Sequence, residues 1–285
     1  MSLSYAVHAY SWTDSWSNRT LDIIDHVSEL GFELIEIPLM ELEKVDPVAI
    51  RERLGSVGLG VCCSVVLDDK TDITSPDPRI RKAGVEFLRG CVDATAGMGS
   101  EILTGVIYSA LGFFPEETPS DAHWSRSAEA LRDVAVYAGD RGIMVGLEPV
   151  NRYETFLVNT CEQALRLREM IDEENVGIHL DAYHMNIEED DFFAPTVMAG
   201  EHLCHYHLSE SHRGIPGRGV VNWDEIYRGL AEIKYRGIVG LESFIQVSEA
   251  MKGATRIWRS LAPDSDTLVT EGLAYLKEVE ARYSH

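Results

Sequence analysis

The five cysteines, Cys62, Cys63, Cys91, Cys161 and Cys204, include no C-x-x-C pair. Zinc-ribbon and dithiol redox motifs are thereby excluded, and thiols set in apolar patterns read as small buried hydrophobes of a reducing compartment. No apolar run approaches the ~20 residues needed to cross a bilayer. The opening MSLSYAVHAYSW has neither a basic start nor a long apolar core, so a cytoplasmic protein is expected. Basic residues are scarce: 25 Lys and Arg stand against 47 Asp and Glu, a formal charge of -22. Repulsion at that level disfavours phosphate backbones and anionic lipid, so neither nucleic acid nor a membrane is an expected partner. The G-x-G-x-x-G fingerprint is missing after the first apolar run, which weighs against an open dinucleotide-binding sheet. No low-complexity linker or composition shift divides the chain, and one domain over residues 1–285 is expected.

What is present is strict alternation. Eight apolar runs read as strands: 4–12, 34–39, 60–67, 101–108, 144–150, 176–184, 203–210 and 238–244. Between them lie helical patterns over 21–31, 46–58, 77–99, 125–142, 160–172 and 223–237, several closed by glycine. The weakest helical slot, 190–202, is interrupted by Pro195, and a last segment from about Ser248 to Arg282 breaks near Pro263. Eight strands alternating with helices in 285 residues match a single-domain α/β protein, a (β/α)8 barrel of typically ~250 residues.

Four of the runs deliver one metal-grade side chain at or near their C-terminal end: Glu148, Asp181, His207 and Glu242. A parallel barrel gathers those ends on one face, where they can converge on one divalent ion. Three carboxylates and one imidazole suit Mn²⁺, Mg²⁺ or Co²⁺ better than a thiolate-rich structural site suits them, and such a set leaves positions open for substrate oxygens. Glu154, His184 and Arg213 follow these positions at short spacing, in the loops that build a barrel's substrate pocket. A cation, an imidazole and a carboxylate beside a metal suit a polyhydroxylated ligand. Glu36, an inward acid of the second run, reads as a support for neighbouring groups or a core hydrogen bonder, and Trp12 as barrel packing.

The segments GLEPVNRYETFLVNT (146–160), HLDAYHMNIEE (179–189), HLSESHRG (207–214) and LESF (241–244) resemble the ketose 3-epimerases of the xylose-isomerase-like TIM barrel superfamily, over nearly the whole chain. The resemblance implies metal ligands at Glu148, Asp181, His207 and Glu242, with Glu148 and Glu242 as the acid and base that invert C3 of a free ketose. It implies contacts to the first three ketose oxygens from Glu154, His184 and Arg213, a pocket wall from Trp16, Val106 and Phe244, one Mn²⁺ per chain (Mg²⁺ or Co²⁺ as alternatives), and a homodimer or homotetramer. The chain departs from the family pattern at Ala182 and at the Arg218-containing turn, and it has His8 and Ser64 where the tagatose enzyme has Phe and Cys. These departures bear on the far end of the sugar. Alternatives are an aldose–ketose isomerase, an epimerase of a phosphorylated ketose or tetrulose, a type IV apurinic endonuclease and a non-enzymatic sugar-binding protein.

Overall fold

A computed structural model describes residues 2–116, 118–244 and 249–283; Met1 and Ser248, the expected start of the last helix, lie outside them. Eight parallel strands close a barrel in sequence order. They are β1 (Ser4–His8), β2 (Leu34–Pro38), β3 (Gly60–Ser64), β4 (Ile102–Gly105), β5 (Met144–Leu147), β6 (Val176–Asp181), β7 (Leu203–His207) and β8 (Ile238–Leu241). Closure runs through Ala6 against Gly240 and Val7 against Leu241. The (β/α)8 expectation is met. Among the described residues no helix is long and apolar enough to cross a membrane.

The connecting helices are α1 (Asp22–Glu29), α2 (Pro47–Val57), α3 (Pro78–Met98), α4 (Asp121–Gly139), α5 (Cys161–Ile171), α6 (Ala182–Glu188), α7 (Phe193–Ala199), α8 (Trp223–Glu232), α9 (Glu249–Thr255) and α10 (Ser265–Ala281). Their ends follow local chemistry. Asp46 accepts from the amides of Val48 and Ala49 at the start of α2, Pro47 supplies a preset φ, and Gly58 leaves the helix at φ 70°. Thr160 and Gln163 form a reciprocal capping box on α5.

Every strand stops earlier than its apolar run. The run over 176–184 ends as a strand at Asp181, whose Oδ1 accepts from the Tyr183 amide at 2.7 Å and starts α6. His184 therefore sits on a helical turn. The run over 4–12 ends at His8 in the same way, with the imidazole accepting from the Tyr10 amide. The slot around Pro195 holds α7 because Pro195 falls in its first turn, where the missing N–H has no helical partner to lose. Pro263 does separate α9 from α10, and Asp264 caps the latter.

The apolar core lies between strands and helices, with Ile35, Ile37, Leu147, Ile178 and Tyr206 fully buried beneath the helical shell. Inside the barrel the chemistry changes: Glu36, Thr104, His179 and His205 are each 0% exposed. A barrel interior is ordinarily filled by branched aliphatics. Here it is a hydrogen-bonded polar layer directly beneath the C-terminal face.

Candidate functional site

Parallel pairing places the ends of β5 to β8 side by side. Glu148 follows β5, Asp181 ends β6, His207 ends β7 and Glu242 follows β8. The Nδ1 atom of His207 faces Glu148 Oε1 at 3.6 Å, Asp181 Oδ2 at 3.9 Å and Glu242 Oε2 at 3.5 Å. All four residues are buried or nearly so, and that Nδ1 has no hydrogen-bond partner. Each approach is too long for a hydrogen bond. An unsatisfied imidazole nitrogen ringed by three carboxylate oxygens fits a divalent cation, and Glu148, Asp181 and His207 come close enough together to share one. The oxygen-rich donor set suits a hard ion.

Arg213 lies beside this cluster. Its Nη1 donates to Asp181 Oδ2 at 2.9 Å, to Ser209 Oγ at 2.8 Å and to Glu242 Oε2. The guanidinium stacks on the Tyr183 ring with its carbon 4.2 Å from the centroid. Its backbone sits at φ 60°, and its amide donates to the Glu210 carbonyl at 2.7 Å. A left-handed arginine costs of order 1–3 kcal/mol, a strain consistent with a side chain whose direction matters.

Asn151 organises the next pair. Its backbone amide and its Nδ2 both donate to His184 Nδ1, at 3.1 and 2.8 Å, and Nδ2 also reaches Glu154 Oε1 at 2.9 Å. A backbone N–H can only donate, so Nδ1 is the acceptor and the neutral ring carries its proton on Nε2. Burial lowers the His184 pKa to about 3, which keeps the ring neutral; its Nε2–H lies 3.3 Å from Arg213 Nη2, two donors that face the same space and are not bonded to each other. The site thus offers a donor imidazole, a guanidinium and the Glu154 carboxyl, raised by burial above its ordinary range.

The two proposed catalytic carboxyls are pushed in opposite directions. Burial raises Glu148 to about 7. Glu242 is equally desolvated, but the positive charges of Arg213 and His207 outweigh burial and hold it below its ordinary value. Opposite shifts in one site are the signature of an acid paired with a base. They also set a pH dependence. Glu148's contribution to the stability of chelator-treated protein is full below its ordinary 4.5 and is lost as pH rises through about 7. A metal must displace that proton as well as the Nδ1 proton of His207, whose pKa the surrounding carboxylates raise, so Mn²⁺ affinity measured by calorimetry is expected to fall at least tenfold per pH unit below 7. A flat profile between pH 5 and 7 would rule out Glu148 as the titrating ligand.

A cavity of about 260 Å³ opens above the cluster. Its lining includes Glu148, Glu154, His184, His207, Arg213 and Glu242, together with Val106 and Phe244. Much of the remaining lining is apolar, with Pro38, Met40, Val66, Leu111 and Ile257. Its polar exceptions include His8 and Ser64, joined by a 3.1 Å hydrogen bond. Trp16 is only 3% exposed and belongs to the core, outside the cavity lining among the described residues. Trp12 packs against the core and donates to Asp266 at 2.8 Å. Arg218 is an exposed surface residue paired with Glu271 and is not among the described residues lining the cavity. The sequence reading missed Asn151, Ser209 and Tyr183; the N-R-Y-E stretch after Glu148 was the one available signal for Asn151.

Gly105, at the end of β4, also lines the cavity. It sits at φ 125°, and a Cβ there would lie 2.2 Å from the Val65 carbonyl oxygen. Gly105→Ala is therefore expected to cost about 2–4 kcal/mol in chemical denaturation. An unchanged midpoint would mean that the β3 end yields freely.

The profile of the xylose isomerase-like TIM barrel family matches residues 24–279. The chain is 39% identical over 274 residues to the ketose 3-epimerase of Arthrobacter globiformis, covering 95% of this chain and 94% of that one. It is 36% identical over 279 residues to the L-ribulose 3-epimerase of a Methylomonas species, covering 97% of both. The crystal structure of a Methylomonas D-allulose 3-epimerase in complex with D-allulose superposes with a TM-score of 0.93 at 36% identity, over 97% of both chains. The chain belongs to the xylose isomerase-like TIM barrel family and, within it, to the ketose 3-epimerases, a group of isomerases.

Proposed function

We propose that this chain inverts C3 of a free ketose at a single divalent metal held by Glu148, Asp181, His207 and Glu242. The observation that carries the reading is the convergence of three carboxylates on the unpartnered Nδ1 of His207. The donor set favours Mn²⁺, with Mg²⁺ or Co²⁺ as substitutes. Such an ion, when bound, would supply positive charge to stabilise the negative charge that develops on the sugar during proton removal.

The chain's own residues do the rest. Inversion at C3 removes a proton from one face and returns one to the other. Glu148 and Glu242 reach the site from β5 and β8 and exchange the two roles with the direction of reaction. Arg213 and the Nε2–H of His184 donate to the carbonyl end of the sugar, and Glu154 orients a hydroxyl. Among the described residues lining the cavity, Arg213 is the only Arg or Lys, which supports an unphosphorylated substrate. Free thiols accord with a cytoplasmic setting, and a homodimer or homotetramer is part of the same reading.

The test is proton NMR in deuterated water of Mg²⁺-loaded protein with D-fructose, D-tagatose, L-ribulose and D-allulose. Deuterium at C3 with appearance of the 3-epimer is expected. Exchange at C1 with aldose formation would make the chain an aldose–ketose isomerase, and no exchange with any sugar would leave only a binding role.

A further inference from the structure

We propose that Glu36 is a positioning residue that orients His207 toward the metal from inside the barrel. Glu36 rises from the middle of β2 and is 0% exposed. Its Oε2 accepts from His207 Nε2 at 2.9 Å and from His205 Nε2 at 3.0 Å. A carboxylate can only accept, so one proton of His207 is held on Nε2, and the second proton of the positively charged, metal-free ring, on Nδ1, is the one a metal would displace. The remaining nitrogen, Nδ1, is the one that faces Glu148, Asp181 and Glu242. Glu36 thus selects both the tautomer and the ring orientation that a metal requires, and its negative charge makes the imidazole a stronger donor.

The opposite strand leaves room for this junction. A Cβ at Gly240 would lie 3.2 Å from Glu36 Oε2, 3.2 Å from His205 Nε2 and 3.0 Å from His207 Cδ2. Those contacts are tight enough that an added methyl must push the carboxylate or an imidazole aside. The nearby trio of His179, His205 and His207 also comes within metal-sharing reach. Its imidazoles pack with ring centroids 4.1 to 4.9 Å apart, however, and the Nε2 atoms of His205 and His207 are already spent on Glu36. Glu36, Cys62 and His205 also lie within sharing reach, but burial pushes the Cys62 thiol well above its ordinary pKa and keeps it protonated, so Glu36 serves as a support for one metal site rather than as part of a second.

This inference rests on His207 being a metal ligand, and the experiment separates the two. Mn²⁺ is titrated into chelator-treated wild type, Glu36→Gln and Gly240→Ala, with free Mn²⁺ read by electron paramagnetic resonance. In parallel, the ¹⁵N shifts of His207 are recorded with Mg²⁺ bound. Wild type is expected to bind one Mn²⁺ and to hold the His207 proton on Nε2. Glu36→Gln is expected to weaken Mn²⁺ about 10- to 100-fold and to move the His207 Nε2 resonance. Gly240→Ala, which keeps the carboxylate but disturbs its seat, is expected to weaken Mn²⁺ in the same direction and keeps the test open where Glu36→Gln fails to fold. A folded Glu36→Gln protein that binds Mn²⁺ within twofold of wild type overturns the positioning role alone. Wild type that binds no Mn²⁺ overturns the metal site itself.

Discussion

Replacing Glu148 or Glu242 with Gln is expected to lower kcat for net epimerisation about 10²- to 10⁴-fold and to abolish deuterium exchange at C3 where the residue replaced is the base. The amide keeps the shape and one metal-facing oxygen but can neither take nor return a proton at neutral pH. General acid–base groups contribute on that scale. The two variants need not behave alike. Glu148 is the carboxyl that burial raises to about 7, whereas Arg213 and His207 hold Glu242 ionised. In the direction that starts with Glu242 as base, Glu242→Gln blocks proton removal, and Glu148→Gln blocks proton return. In that direction Glu148→Gln is expected to show isotope exchange without net epimerisation, and Glu242→Gln to show neither. Measurements belong at saturating Mn²⁺, because each residue is also a proposed ligand. Full exchange in both variants would remove these glutamates from the chemistry.

The second large effect is loss of the metal. Dialysis against a chelator is expected to stop turnover, and re-adding Mn²⁺ to 100 times its dissociation constant should stabilise the fold by about 2.7 kcal/mol. With an unfolding entropy of about 2.1 cal/mol/K per residue over 285 residues, that is about 4 to 5 °C in Tm. The gain should shrink below pH 7 as Glu148 takes up its proton. A thermal midpoint indifferent to Mn²⁺ at pH 8 would argue that the carboxylate ring around His207 Nδ1 holds no ion.

The convergence of Glu148, Asp181, His207 and Glu242 was legible in the sequence because each is an acid or histidine closing an apolar run, and a parallel barrel leaves only one place for such ends to go. Asp181 illustrates how far that goes. Its place in the site followed from the pattern, but its second role, capping α6 so that His184 turns inward, did not. Trp16 was assigned to the pocket by resemblance and is packed in the core; aromatic character alone does not say which side of a wall a ring occupies. Asn151 and Tyr183 escaped because their work depends on loop and helix geometry. Glu36 could be placed inside the barrel by its apolar neighbours, but its partners could not be named. Pairing across a barrel depends on strand stagger, which no local pattern encodes.

The carboxylate of β2 and the imidazoles of β7 come from opposite halves of the chain. A fragment holding only the first four strands would leave Glu36 with His8 at 3.7 Å and the Cys62 thiol at 3.8 Å but with neither of the close imidazole donors, and burying a carboxylate so poorly paired is expensive. The tie therefore works against stable half-barrels and makes closure cooperative. In native-state hydrogen exchange, the amides of β2 and β7 are expected to open with one free energy, as a single unit. Opening of β2 at a distinctly lower energy than β7 would show that the halves come apart independently.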